Sequence, residues 1–317
     1  MVASISDFTS VHRETFKNAA SLFSALHLNI DSSRSPSLLW EDDFASEIGG
    51  MKSALNLIKR KANIVIGHFA SSAALSALET YNNQIPVLLP AATLDRITEN
   101  HSNAFRLIGK DSDLIEYLFA DINPQKNRIL IWATHDGSLH GKNIQHFAKL
   151  FADKFNIIIA TEYSESVNFI LYSGSFYNSM EFLRNYSGVS CPILFTDDVI
   201  HPNIGDEIAK NKLVDITAYG YSLDKNQTMR ELSDIYTSRF NKAPGTYFFE
   251  TYSALQIALQ IALIYNKKQL LSSEIIELLQ HNSWDTALGK IKFQKGENNL
   301  DRYSKFIFKN GNLIEEK

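Results

Sequence analysis

Short, uninterrupted apolar runs take turns with helix-period segments along nearly the whole chain. VASISDF (2–8), SLLWEDD (37–43), NIVIGHF (63–69), IPVLLPAAT (85–93), RILIWATHD (128–136), VNFILYSGS (167–175) and CPILFTDD (191–198) read as strands. Most lead into a segment of helical period, such as SSAALSALETYNN (71–83), SLHGKNIQHFAKLFADKF (138–155) or YNSMEFLRNYSG (177–188). TFKNAASLFSALHL (15–28) and GGMKSALNLIKRKA (49–62) fill the same role early in the chain, and IGDEIAKN (204–211) follows the last strand. Strands that are apolar throughout, rather than alternating, are covered on both faces, and strands separated by helices lie parallel. The pattern therefore predicts an α/β protein with mainly parallel sheets flanked by helices.

A chain of 317 residues, 44% of them hydrophobic, has enough apolar surface for more than one domain. Its net charge is −4 with acidic and basic residues interleaved, which is no footprint for nucleic acid or an anionic membrane. Cys191 is the single cysteine, so an internal disulfide is excluded and no cysteine cluster offers a metal site. YSALQIALQIALIY (252–265) is broken by Gln256 and Gln260 and falls short of the ~20 apolar residues a membrane span needs, so it reads as a buried core helix. Met1 leads straight into VASISDF, with no secretory leader in the chain. The strand–helix series runs twice, to about residue 120 and again from RILIW, with a junction at Asp121–Asn127. The closing stretch from Leu288 alternates in period two, and Gly296 and Lys309-Asn310-Gly311 signal turns between short antiparallel strands.

Ligands of open parallel sheets bind beyond the carboxyl ends of the strands. Gly67-His68-Phe69-Ala70-Ser71-Ser72 and Pro90-Ala91-Ala92-Thr93 occupy two such ends. Each sets hydroxyls beside the N–H groups of a helix start, where a carboxylate is favoured. Either hydroxyl alone could be an N-cap; the same device on two successive strands points to a site. In the second series, Asp197-Asp198 and Gly174-Ser175-Phe176-Tyr177 stand at strand ends. A carboxylate facing such hydroxyls and helix starts suits a zwitterion, and paired aspartates also serve as turn or cap residues.

IGHFASS followed by IPVLLPAATLDRIT, with WEDDFAS upstream and FRLIGKDSD, DGSLHGKNIQHFA, FETYSALQIALQIAL and TALGKIKFQKGENN downstream, resembles the type I periplasmic binding proteins. The likeness is greatest to the branched-chain amino-acid binding branch and extends in order over essentially the whole chain. It implies two α/β lobes joined by a three-crossover hinge that closes on a ligand, with the first lobe formed by 1–121 plus 246–288 and the second by 122–245 plus 289–317. Carried over residue by residue, the resemblance implies a ligand carboxylate held by Ser71, Ser72, Ala91 and Thr93, and an amine held by Asp198, with Asp197 one position away. His140 falls where relatives have an aromatic before glycine, and Ser175, followed by Phe176, falls where they have another. The relatives' longer first loop is reduced to DFTSVHRET, which brings His12 or Arg13 to that wall. These departures point away from a plain branched-chain ligand, towards a more polar or larger amino acid, amide or urea-like compound.

His68 stands close to Ser71 without an assignable third group, so it reads as scaffold rather than catalyst. His135, Asp136 and His140 match no zinc spacing, Glu41, Asp42 and Asp43 read as a cap or lobe contact, and no Gly-rich phosphate loop occurs. No catalytic residue, metal or cofactor is expected. What the resemblance implies is a solute-binding protein that captures a small amino acid or related amide or zwitterion by hinge closure and delivers it to an ABC permease. That reading places the chain in the periplasm with its leader removed. The alternative is a cytosolic sensor of the amide-responsive regulator type, which would pass the closure to a regulatory protein.

Overall fold

The structure is a computed structural model and describes residues 2–5, 11–27, 37–186, 188–205, 208, 216–265, 270–309 and 312–316. The chain divides into two compact units, one of residues 1–109 and 224–301, the other of 110–223 and 302–317, so that the backbone passes between them three times.

The first unit is built on an eight-stranded sheet in the order β11-β12-β13-β5-β4-β3-β1-β2. Its strands are β1 Val2–Ile5, β2 Leu38–Glu41, β3 Ile64–Ile66, β4 Val87–Leu89, β5 Ala104–Arg106, β11 Ser283–Thr286, β12 Gly289–Gln294 and β13 Glu297–Asn298. The β1–β5 strands pair in parallel, and every residue of β3, β4 and β5 is buried, as continuous apolar runs require. Helices α1 Arg13–His27, α2 Glu47–Lys59, α3 Ser71–Tyr81 and α4 Arg96–Asn100 connect them. After the second unit the chain returns through α8 Gln227–Phe240, α9 Phe248–Tyr265 and α10 Ser272–His281. Helix α9 carries the segment expected to be core. It is buried around its first turns and ends on exposed Leu263 and Ile264. Among the described residues no helix is long and apolar enough to cross a membrane.

The second unit has the sheet order β15-β14-β10-β9-β8-β6-β7. Its strands are β6 Ile129–His135, β7 Ile157–Ala160, β8 Phe169–Ser173, β9 Ile193–Phe195, β10 Ile216–Tyr221, β14 Tyr303–Lys309 and β15 Asn312–Glu315, with helices α5 Asp111–Ile122, α6 Leu139–Phe151 and α7 Phe176–Asn185. Strands β6 to β10 are parallel and β14–β15 antiparallel.

The unit boundaries depart from the expected ones at three places, each for a packing reason. Helix α5, expected in the first lobe, buries Leu114, Ile115, Leu118 and Phe119 with Ile131, Ile144, Leu171 and Tyr219 of the second unit. Helix α8, expected in the second, sets Tyr236 against Phe248 at 4.7 Å and receives the Asn18 amide on its hydroxyl at 2.9 Å. The closing strands divide between the sheets: β12–β13 extend the first through β5, and β14–β15 extend the second through β10. Gly296 makes the expected turn at φ +81, and a Cβ there would stand 2.4 Å from the Ala104 carbonyl. The turn at 310–311, Asp7–Ser10 of the first loop and most of the helix expected at 204–211 lie outside the described residues.

Candidate functional site

In the first unit, the end of β3 is held from beneath by His68. The ring is fully buried, with Nδ1 2.8 Å from Asp43 Oδ2 and Nε2 3.2 Å from the Tyr81 hydroxyl. Within the WEDD turn, Asp42 Oδ1 and Asp43 Oδ1 accept from the Phe44 and Ala45 N–H groups. Beyond His68, Phe69 packs on His12 at 5.5 Å and on Tyr247 at 5.2 Å, which puts the first-loop residue His12 in an aromatic cluster.

Ser71 opens α3, and the N-cap is Ala70, which has no side chain able to cap. Ser71 is therefore one residue inside the helix rather than its cap. The first N–H groups of α3 are accordingly not satisfied by a capping side chain. Ser71 and Ala91 are each 6% exposed, Thr93 is 2% exposed and Ser72 is half-buried. The β3 and β4 ends are adjacent through the Ile66–Leu88 pairing, so the structure brings Ser71, Ser72, Ala91 and Thr93 to one edge of one sheet.

A residue the sequence reading missed organises that edge. Arg106, fully buried at the end of β5, donates to the carbonyls of Ala92 at 2.7 Å, Leu94 at 2.9 Å and Asp95 at 3.4 Å, and to Thr98 Oγ1 at 3.3 Å. Its Nε lies 3.2 Å from Glu297. In a trans peptide the N–H of the next residue points opposite to the carbonyl. Turning the 92 and 94 carbonyls towards Arg106 thus aims the Thr93 and Asp95 N–H groups away from it, an arrangement suited to a negatively charged ligand group. An arginine inside the apolar run Ala-Phe-Arg-Leu-Ile was the available signal, because a buried arginine must be paired.

In the second unit His140 lies on the first turn of α6. Its Nδ1 is 3.0 Å from Asp111 Oδ1, and its Nε2 is 3.5 Å from Thr196 Oγ1 and 3.8 Å from Asp197 Oδ1. Asn143 donates to the other Asp111 oxygen at 2.8 Å. Burial disfavours the charged ring, but the Asp111 carboxylate, followed by Asp197 and Asp198, outweighs it and pushes the imidazole pKa up to about 10. His140 is thus an imidazolium at neutral pH.

Asp198 is half-buried, and its Oδ2 accepts the Phe176 N–H at 2.7 Å, at the start of α7. Ser175 is the N-cap of that helix, its Oγ accepting from Asn178. The Phe176 ring is buried against His201, while Tyr177 is exposed. Asp136 ties the two loops together, accepting from the Ser138 N–H, the Ser175 N–H and the Asn178 amide. Burial would raise its pKa, and these hydrogen bonds hold it below the usual carboxylate range. His135 accepts the Gly137 N–H on Nδ1, and among the described residues no group of three potential metal ligands exists.

The two shifts predict opposite pH dependences. His140, raised in the folded state, contributes its full stabilisation below its unfolded pKa of about 6.5. That contribution is lost as pH rises through about 10. Asp136, depressed in the folded state, contributes above its unfolded pKa, near ~4, and loses this as pH falls through its folded value. Urea midpoints measured against pH are expected to decline on both sides, and His140→Gln is expected to flatten the alkaline limb while leaving the acid limb in place.

A scan of protein-family models finds no match to this chain, and a search of curated proteins by sequence finds none. Solved structures do match over the full length. The leucine-binding protein LivK of Thermotoga maritima superposes with a TM-score of 0.84 at 16% identity, covering 100% of this chain and 97% of that one. The branched-chain amino-acid transporter substrate-binding protein LivJ of Streptococcus pneumoniae, in complex with isoleucine, gives 0.81 at 15% identity, with 99% of each chain covered. A solute-binding protein of an ABC transporter from R. palustris, in complex with benzoate, also gives 0.81, at 14% identity, covering 99% of this chain and 94% of that one. The strand orders, the parallel sheets flanked by helices and these full-length superpositions give one answer: the chain has the type I periplasmic binding protein fold.

Proposed function

We propose that this protein is a solute-binding protein that captures a small amino acid or a related amide or zwitterion and delivers it to an ABC permease outside the inner membrane, its hinge closing on the ligand. The fold does not choose among ligands, because structures bound to isoleucine and to benzoate match equally well. Charge carries the choice. Around His140 stand Asp111, Asp197 and Asp198. Three carboxylates against one imidazolium leave the second unit's strand ends net negative, which attracts an amine and repels a plain aromatic acid. The first unit supplies the opposite polarity at Ser71, Thr93 and the N–H groups aimed by Arg106. The neighbours described above are binding proteins, a likeness that supports the transport reading over a cytosolic sensor.

A thermal-shift screen of amino acids, their amides and benzoates tests this reading. An amine-bearing carboxylate or amide is expected to raise the melting temperature with concentration. A benzoate that binds as tightly as any amine-bearing compound would refute it. With the best ligand from that screen, Thr93→Val and Asp198→Asn are each expected to weaken binding by about 1.5–3 kcal/mol in calorimetry, the range for hydrogen bonds to charged groups. Asparagine retains an acceptor for the Phe176 N–H, so α7 should keep its start.

A further inference from the structure

Four rings meet at the carboxyl end of the first sheet. Phe69, two residues before Ser71, lies against His12 at 5.5 Å, Phe16 at 5.5 Å and Tyr247 at 5.2 Å. His12 immediately precedes α1, Phe16 lies in its first turn, and Tyr247 immediately precedes α9. These three are at most 3% exposed, whereas Phe69 is only half-buried. Tyr247 holds φ at +73, a left-handed conformation that a bulky residue rarely adopts and that persists only where its surroundings enforce it. The outlier sits where it sets the tyrosine ring edge-on against Phe69, at an interplanar angle of 89°. Phe69 is thus fixed from three sides, with the remaining side open.

Strand order sets where this ring stands relative to the polar groups. Neighbouring strand ends lie ~4.8 Å apart. Passing along β5-β4-β3-β1, they present Arg106 with Glu297, then Thr93, then Ser71, and then the aromatic group, where the β3 end meets the start of α1. A carboxylate held by Ser71 and Thr93 therefore has a buried, paired arginine and the partly exposed Glu297 carboxylate on one side, and the Phe69 ring on the other. An apolar side chain attached to that carboxylate can leave water only on the Phe69 side.

We propose that Phe69 is the residue that sets specificity, its open side packing against an aromatic ring of the ligand, so that the substrate class is an aromatic amino acid. This rests on the solute-binding reading above. A flat ring on a fixed ring gains offset or edge-on stacking beyond the area it buries, whereas an aliphatic side chain gains area alone. The platform is already ordered by His12, Phe16 and Tyr247, so binding has no ring to immobilise on the protein's side.

Calorimetry of the full chain with L-phenylalanine, L-leucine and 3-phenylpropionate tests it. L-Phenylalanine is expected to bind on the order of 10-fold tighter than L-leucine. Phe69→Leu is expected to bring that ratio to about 1, with circular dichroism unchanged because leucine keeps the position apolar. Should the variant unfold, the wild-type ratio decides alone. L-Leucine binding the wild type as tightly as L-phenylalanine, or a folded Phe69→Leu variant that keeps the preference, overturns the proposal and leaves the zwitterion reading standing. 3-Phenylpropionate matching L-phenylalanine, with both tighter than L-leucine, would do the reverse: it supports a ring on Phe69 and refutes an amine held by the second unit. If none of the three binds, both readings fall.

Discussion

Arg106→Met is expected to cost about 3–5 kcal/mol of unfolding free energy, the range found when one partner of a buried ion pair is removed. The loss has two parts. Glu297 is partly exposed and can turn to water, so it contributes the smaller share. The larger share comes from the Ala92 and Leu94 carbonyls, whose donors at 2.7 and 2.9 Å vanish in a buried setting. Each orphaned acceptor costs about 1–3 kcal/mol. Urea unfolding should show the loss, and calorimetry of the surviving folded protein should show ligand affinity falling with it, because the Thr93 and Asp95 N–H groups lose the restraint that aims them. Arg106→Lys is expected to recover only part of both, since a single ammonium cannot reach several carbonyls as a planar guanidinium does. A stable Arg106→Met variant with native affinity would mean the loop is shaped by something else.

Gly50→Ala is the second large effect. In an ordinary helix this change stabilises by up to about 1 kcal/mol. Here all three of the nearest atoms to the new Cβ are backbone atoms of Ala73, the closest at 2.3 Å, so the relief must come from moving α3 as a body. Overpacking of this kind costs about 1–3 kcal/mol and occasionally more. Ala73 lies in the first turn of α3, two residues after Ser71. The displaced turn should therefore impair binding as well as lower the melting temperature. Gly→Ala substitution that raises stability would show the α2–α3 approach to be looser than described.

Strands with an unbroken apolar run were legible from their residues, as β3, β4, β6, β8 and β9 show. Those missed had a local reason. β5 is three residues long and ends on a charge; β7 follows its helix directly after Asn156, whose αL conformation makes the turn in a single residue; β10 contains glycine and two tyrosines, which blur the run. The boundary between units was misplaced at α5 because an amphipathic helix declares that it has a buried face without declaring which sheet covers it. The strand-end rule singled out Ser71 and Thr93 as candidates because it depends only on position after a run. It could not find the groups that act on them from elsewhere in the chain, since Arg106 and Asp111 acquire their roles through contacts with residues far away in sequence.

The discontinuous course of the backbone has a consequence during synthesis. When residue 223 leaves the ribosome, the five parallel strands of the second unit are all present and lack only the antiparallel pair at one end. The first unit, although begun earlier, still lacks α8 to α10 and the β13 partner of β5. The nascent chain must therefore carry an open, apolar half-sheet through the making of more than a hundred intervening residues, from 110 to 223, and is most in need of chaperone cover in that interval.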